Sequence, residues 1–360
     1  MTLHPARWAE IDLGMLKSNI QHLRDRLPAR TQVIAVVKAN AYAHGAREVS
    51  RAALEAGATM LAVSTPAEAV ELCGICPPGQ VLALGGLAPQ VVQEAVDAGC
   101  ALVCSSLELA DAIAAAVPPG QRRDIHLKID TGMHRLGCHP RDAPALAAHI
   151  AASDRLRLAG TMTHFASSEA SESMTREQFR RFRVALDKFE VSPGLRHVAN
   201  TQAALRYPEM ALDAVRFGIG MYGCEWDELG PVLSLHGLIT HVVDVIPGGR
   251  VGYRGTWTAP RPTRVATVSI GYADGVLRAH SSRGAAVVRG QRAPFIGRVS
   301  MDMLALDVTD IEGVVPGDVA TLIGQGITAE EVAEWSGTSS YEVLLAIGAR
   351  VKRIYKEEVG

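Results

Sequence analysis

The sequence has no apolar run near the ~20 residues that a membrane span needs, and that absence argues against a helical membrane protein. It has no excess of charge either. A formal net charge of −2 over 360 residues leaves no electrostatic footprint for DNA, RNA or an anionic membrane. The amino terminus, MTLHPARWAEIDL, shows no basic stretch followed by an apolar one, so no secretory signal is expected. Six cysteines form no disulfide framework at this length. Cys73-Gly74-Ile75-Cys76 is a solitary C-x-x-C with no second pair and no histidine at metal spacing. A structural role for that pair, no metal site and a reduced, cytoplasmic setting are the expectations. No internal repeat, linker or low-complexity tract is visible, and Ser167–Ser173 reads as a surface loop.

What is present is an alternation. Val33–Val37 is a run of five apolar residues that suits a strand buried on both faces, and it runs straight into Lys38. Ala39–Tyr42 reads as a tight exit before a helix from Ala46. Further strands are expected at Met60–Ser64, Val81–Leu84, Ala101–Cys104, Ile125–Ile129, Leu158–Thr163, Arg196–Ala199 and Ala214–Phe217, with helical stretches between them. Thr65-Pro66-Ala67-Glu68 combines a capping box with proline at the first helical position. Eight such strands fit a (β/α)8 TIM-type barrel or a doubly wound sheet. Lys38, Arg135, His164, Asn200, Thr201 and Arg216 all fall at or just beyond carboxyl ends of strands. A barrel gathers those ends at one mouth, which favours the barrel. From about Gly230 the texture becomes β-rich, with helices expected at Ala329–Trp335 and Tyr341–Tyr355. The expected organisation is a cofactor-binding barrel over 1–230, then a smaller, mainly β domain over 231–360.

A lysine at a barrel mouth loses hydration, so its pKa falls and it can attack carbonyls; the same position also suits a lysine that carries its amine into solvent. Lys128 and Arg135 form a like-charged pair that needs a counter-ion if buried. Asn200 and Thr201 are capping candidates for the helix after the seventh barrel strand. The loops after strands seven and eight often bind phosphate, which places Thr201 and the amides of Gly218 and Ile219. Gly218, Gly220 and Gly223 also spell G-x-G-x-x-G, but no apolar-periodic helix follows, so nucleotide binding is not expected.

VVKANAYAHG closely resembles the cofactor-lysine segment of the fold-type III pyridoxal-phosphate enzymes, the alanine racemases in particular, with Ala43 where the family usually has glycine. The likeness continues in order through HLKIDTGMHRLG (126–137), Thr163-His164-Phe165, RFGIGMYG (216–223), VGYRGTW (251–257), SIGYADG (269–275), GRVSMDM (297–303) and RVKRIY (350–355). Departures are Phe217 and Gly220, Arg254 in place of a small residue, Lys352 for proline, and Ala349. The resemblance implies a racemase that interconverts L- and D-alanine by a two-base mechanism on a pyridoxal-phosphate aldimine. Lys38 and Tyr253 would be the bases, Lys38 on the D-alanine side. Tyr42, His164, Asn200, Thr201, Arg216, Gly218, Ile219 and Tyr355 would join Lys38 in holding the cofactor, with His164 stacked on the pyridine and Arg216 facing its nitrogen. Arg135 and the Met301 amide would bind the substrate carboxylate. Lys128, carbamylated, would steady Arg135, and His197, Tyr272 and Asp302 would support the site. It also implies a homodimer whose active sites are shared, and D-alanine supplied to peptidoglycan or degraded. The alternative is a broad-spectrum racemase acting on serine, lysine or arginine. A decarboxylase of the same fold type would carry an acid where Arg216 stands.

Overall fold

The structure, a computed structural model, describes residues 5–357. The chain divides into two compact units. One holds Lys17–Ala41 and Ala46–Met221; the other takes residues 5–16, 42–45 and 222–357. The expected division at residue 230 therefore misses the start of the chain. Strand β1 (Arg7–Asp12) belongs to the second unit, where β-strand partners lie more than 200 residues away in sequence.

In the first unit, β2 (Gln32–Val36), β3 (Met60–Val63), β4 (Val81–Ala83), β5 (Ala101–Cys104), β6 (Arg123–Lys128), β7 (Leu156–Met162), β8 (Leu195–Asn200) and β9 (Ala214–Phe217) form a closed barrel. All neighbours are parallel, and β9 returns to β2 through Gln32↔Ala214 to Ala35↔Phe217. The expected strands lie within a few residues of these. Their composition follows from packing: strands covered on both faces can be continuously apolar, and β3, β4, β5 and β9 are buried almost throughout. Helices are started by side chains that satisfy orphan N–H groups: Ser106 accepts from Leu109, Ser171 from Met174 and Asn200 from Ala203. The Thr65–Glu68 capping box is present in full.

In the second unit, β10 (Leu233–Val245), β11 (Thr263–Val268), β12 (Ala285–Val288), β13 (Gln291–Ile296), β14 (Leu304–Asp307) and β15 (Val319–Ile323) make an antiparallel ring. Its order is β10–β11–β14–β13–β12–β15 and back to β10. The long β10 closes it by pairing β15 with its first half and β11 with its second. Strand β1 adds antiparallel to the first half of β10, and β16 (Lys352–Lys356) adds parallel to β1. The helix expected over Tyr341–Tyr355 is corrected here. Only Ser340–Leu345 is helical, and Tyr355 lies on β16. The local pattern was ambiguous; pairing with β1, 340 residues upstream, decides it. Among the described residues no helix is long and apolar enough to cross a membrane, and no side-chain cluster is placed to hold a metal ion.

Candidate active site

Two residues beyond β2, Lys38 opens a backbone conformation that the sequence does not announce. Ala39, Asn40, Ala41 and Tyr42 all have φ of 53° and Ala43 has 67°, a left-handed turn built without glycine. Each such residue costs roughly 1–2 kcal/mol, and runs of this kind persist only where surrounding bonds impose them. Glu68 imposes this one. Its Oε1 accepts from the N–H of Ala39 at 2.8 Å, while Oε2 accepts from Ser64 at 2.6 Å and Thr65 at 3.2 Å. Asn40 Oδ1 accepts from Ala46 N at 2.8 Å, tying the turn to the next helix. Burial lowers the pKa of Lys38, the nearby Arg135 lowers it further, and Glu68 opposes both.

Lys128, on β6, is buried rather than directed to solvent. Burial, with Arg216 and Arg135 close by, brings its amine down to about 8. Arg135 is exposed on the loop after β6. That loop is shaped by Asp130, whose Oδ1 accepts from the N–H groups of Gly132, Met133 and His134.

Arg216, on β9, is 3% exposed, and no carboxylate is among its hydrogen-bond partners in the described residues. Neutral acceptors surround it instead. Its Nη1 donates to the carbonyl of His197 at 2.7 Å and to His197 Nδ1 at 3.0 Å. Its Nη2 donates to the carbonyls of Thr163 at 2.8 Å and Val198 at 2.9 Å, and reaches His164 Nδ1 at 3.1 Å. Burial lowers its pKa to about 10, which still leaves it cationic at neutral pH. Both terminal nitrogens are fully engaged, and no partner of Nε–H is present among the described residues. His164 is held far below the ordinary histidine value by burial and by Arg216, so its ring is neutral.

Asn200 caps the helix Thr201–Arg206 through Oδ1 on Ala203 N at 2.9 Å. Ser168, from the serine-rich segment expected to be surface loop, is buried and donates to the same Oδ1 at 3.0 Å. Thr201 Oγ1 accepts from Gly218 N at 3.0 Å, so Gly218's amide is already engaged. The residue after it, Ile219, begins a short 3-10 turn rather than the long helix a dinucleotide site needs.

The remaining site candidates lie in the second unit. Tyr42 is buried, its ring centre 4.8 Å from that of Tyr222 and 5.9 Å from that of Tyr341. Tyr355 packs its phenol on Gly45, where an added Cβ would lie 1.9 Å from Oη. Tyr253 is at the tip of a hairpin between Arg250–Val251 and Trp257–Thr258, and is 71% exposed. Beside it Arg254 has φ of 62°, which explains why a small residue is usual there. The Tyr272 and Met301 loops are clamped together by Tyr272 N on Ser300 O and Ala273 N on Met301 O, both 3.0 Å. Asp302 pairs with Arg350. Asp274, fully buried, receives Arg7, Arg350 and the N–H of Gly271, and so fixes the Tyr272 loop from behind.

Residues 11–225 match the family described as alanine racemase, N-terminal domain, and residues 232–355 match alanine racemase, C-terminal domain. The chain belongs to the alanine racemase family. Membership makes it an enzyme of the isomerase class. The alanine racemase of Desulforamulus reducens is 42% identical over 97% of this chain and 98% of its own length. Among solved structures, the alanine racemase of Clostridium difficile 630 superposes with a TM-score of 0.94 at 32% identity, covering 99% of this chain and 97% of that one. The Bacillus anthracis alanine racemase, solved with bound L-Ala-P, gives 0.90 at 35% identity, covering 99% and 96%.

Sequence reasoning missed three residues of the site. Glu68 was visible as a helix cap but not as the brace of the Lys38 turn. Asp274 was visible inside SIGYADG only as a turn acid. His126, first residue of HLKIDTGMHRLG, donates or accepts toward His197 Nε2 at 2.8 Å in the barrel interior; a polar residue in a strand otherwise apolar at Ile125 and Leu127 was its only signal.

Proposed function

We propose that this enzyme interconverts L- and D-alanine with pyridoxal phosphate held at the barrel mouth. The observation that carries the reading is the pairing of a lysine with a depressed pKa at the end of β2 and a permanent cation at the end of β9. The cofactor, when joined to Lys38, supplies the electron sink for the negative charge that forms at the substrate α-carbon. The donor set fits it. Arg216 has one N–H left for a ring nitrogen, Thr201 retains its hydroxyl hydrogen for an anion, and the N–H of Ile219 stands beside them.

Lys38 takes and returns the α-proton on the D-alanine side, its pKa lowered by burial and by Arg135. The phenol of Tyr253 does so on the L-alanine side. Arg216, as a cation, would keep the ring nitrogen unprotonated, which would weaken the sink and suppress side reactions such as transamination. His164 would contact the ring, while Tyr42, Asn200, Ile219 and Tyr355 would hold the phosphate end. Arg135 and the Met301 amide receive the substrate carboxylate. Lys128, brought down to about 8, keeps a fraction of free amine at pH 7, and that amine can add to carbon dioxide, releasing one proton to solvent, to give a carbamate anion that balances Arg135. The exposed face bearing Tyr253, Tyr272, Met301 and Asp302 is completed by a second copy of the chain, making the site shared. The exposed charge of Arg254 beside Tyr253 disfavours lysine and arginine as substrates.

Purified protein incubated separately with L-alanine, L-serine, L-lysine and L-arginine, followed by chromatographic resolution of enantiomers, tests the substrate. D-alanine forming far faster than the others is the expected result. Comparable turnover of the basic amino acids would move the enzyme to the broad-spectrum group.

A further inference from the structure

The barrel interior carries a polar chain that runs from Arg216 to a histidine the proposed chemistry does not use. Arg216 Nη1 lies 3.0 Å from His197 Nδ1, and His197 Nε2 lies 2.8 Å from His126 Nδ1. Both histidines are buried, at 0% and 1% exposed. We propose that His126 is a positioning residue for Arg216: by accepting from His197 it fixes which nitrogen of His197 is bare, and so holds the guanidinium in one orientation.

The hydrogens follow from valence. A guanidinium only donates, so the His197 nitrogen facing it has no hydrogen. A neutral imidazole carries one N–H, so in His197 it must be on Nε2. At 2.8 Å that hydrogen needs an acceptor, so His126 Nδ1 is bare and its own hydrogen is on Nε2. The opposite assignment sets two hydrogens against each other at the arginine, or two lone pairs against each other between the rings. A doubly protonated His197 would be an imidazolium against a guanidinium, buried, with no acidic group bonded to either. Burial keeps both rings neutral, and His126 is brought down to about 4.

The backbone makes room for this link. His126 is on β6 and His197 on β8, with β7 between them. Gly160 on β7 is where the ring passes: a Cβ there would lie 2.5 Å from His126 Nδ1 and 2.7 Å from Cε1. Without His126, the Nε2–H of His197 has no acceptor. The ring then gains by flipping or by moving its hydrogen to Nδ1, and either change presents a non-acceptor to Arg216. The bearing on chemistry rests on the reading that Arg216 faces the cofactor nitrogen; the hydrogen arrangement does not.

The test therefore begins with cofactor-free full-length protein. Two-bond 15N–1H correlation spectra of the imidazoles, assigned by single histidine substitutions, report which nitrogen is protonated. Both His126 and His197 are expected as Nε2–H. In His126→Leu, His197 should leave that form or broaden by exchange. His126→Asn places an amide oxygen where Nδ1 stands and should restore it. Pyridoxal phosphate titrated against each variant and followed by absorbance gives the second readout. A loss of about tenfold in affinity is expected for the leucine variant, ~1.4 kcal/mol, with the asparagine variant within about twofold of the parent. Nδ1–H on His197 in the parent would overturn the proposal. So would a leucine variant with the parent's His197 form and the parent's affinity. Should the leucine variant not fold, the parent spectrum and the asparagine rescue still decide it. Parent tautomers as expected with no binding of pyridoxal phosphate would sink the cofactor reading and leave the positioning role standing.

Discussion

The two units hold their candidate residues in opposite ways. In the barrel, Lys128, His197 and Arg216 are buried and Lys38 and His164 half-buried; burial displaces each from its ordinary acidity, and positive neighbours add to the shift in all but Arg216. In the β unit, Tyr253, Tyr272 and Met301 are 71%, 44% and 52% exposed, on loops whose backbones are fixed but whose side chains are not. The barrel candidates have their acidities set by their own surroundings; the β-unit candidates stand on an open surface. Tyr253, exposed as it is, could serve as the base proposed above only where cations replace the water around it.

The largest test of that contrast is Lys38→Ala, which should abolish the borohydride-fixable attachment of pyridoxal phosphate and all racemisation, read by intact mass and by chiral chromatography. Attachment persisting at another lysine would move the reactive amine away from the barrel mouth. Next, Tyr253→Phe should keep the attached cofactor and lose α-proton exchange of L-alanine in deuterated water. Because the phenol is exposed, its stability should lie within about 0.5 kcal/mol of the parent. Mixing inactive Lys38→Ala and Tyr253→Phe chains should regain activity, since a shared site leaves one of the two sites in a hybrid dimer with both bases. No recovery after verified exchange would assign both bases to one chain.

A smaller effect separates the units by pH. His126 titrates near 4 in the folded chain against about 6.5 for a free histidine. Between those values the unfolded chain binds the extra proton, so stability rises with pH and is lost as pH falls from about 6.5 toward 4. Denaturant midpoints across that window should fall less steeply for His126→Asn than for the parent. The smallest effect expected is from Glu68→Gln, about 1–2 kcal/mol, because an amide has one acceptor oxygen, so either Ala39 or the Ser64 and Thr65 pair faces an NH2 group that cannot accept. A change under the precision of the melt would assign the left-handed turn to some other brace.

What could be read from sequence was what is local. Eight apolar runs with helical stretches between them located the barrel strands within a few residues, and strand-end positions picked out Lys38 and Arg216 before any geometry. The capping box at Thr65 was legible because its two bonds lie within three residues. What escaped was decided by partners far apart in the chain. His126 looked like a strand residue until β8 brought His197 to it. Glu68's hold on Ala39 spans 29 residues, and Ser168's hold on Asn200 spans 32. The C-terminal strand was misread as helix because only β1 gives its N–H groups a partner. The left-handed turn was invisible because its alanines carry no local signal for positive φ, and Ala43 sits where glycine is usual.

The pairing of β1 with β10 and β16 also sets an order of assembly on the ribosome. Nearly all of the barrel lies between residues 17 and 221 and can close while the rest is still being made. Strand β1 emerges first, yet its neighbours are residues 233–237 and 352–356. At about 5–20 residues per second, the gap between making β1 and making its last neighbour is about 20–70 s. Until β10 is made, the apolar strand with Trp8, Ala9 and Ile11 has neither neighbour, and until β16 is made one of its edges stays open, so it is secured on both sides only at the end and is a natural target for chaperones. A nascent chain stopped before residue 352 would release a closed barrel carrying an unfinished sheet.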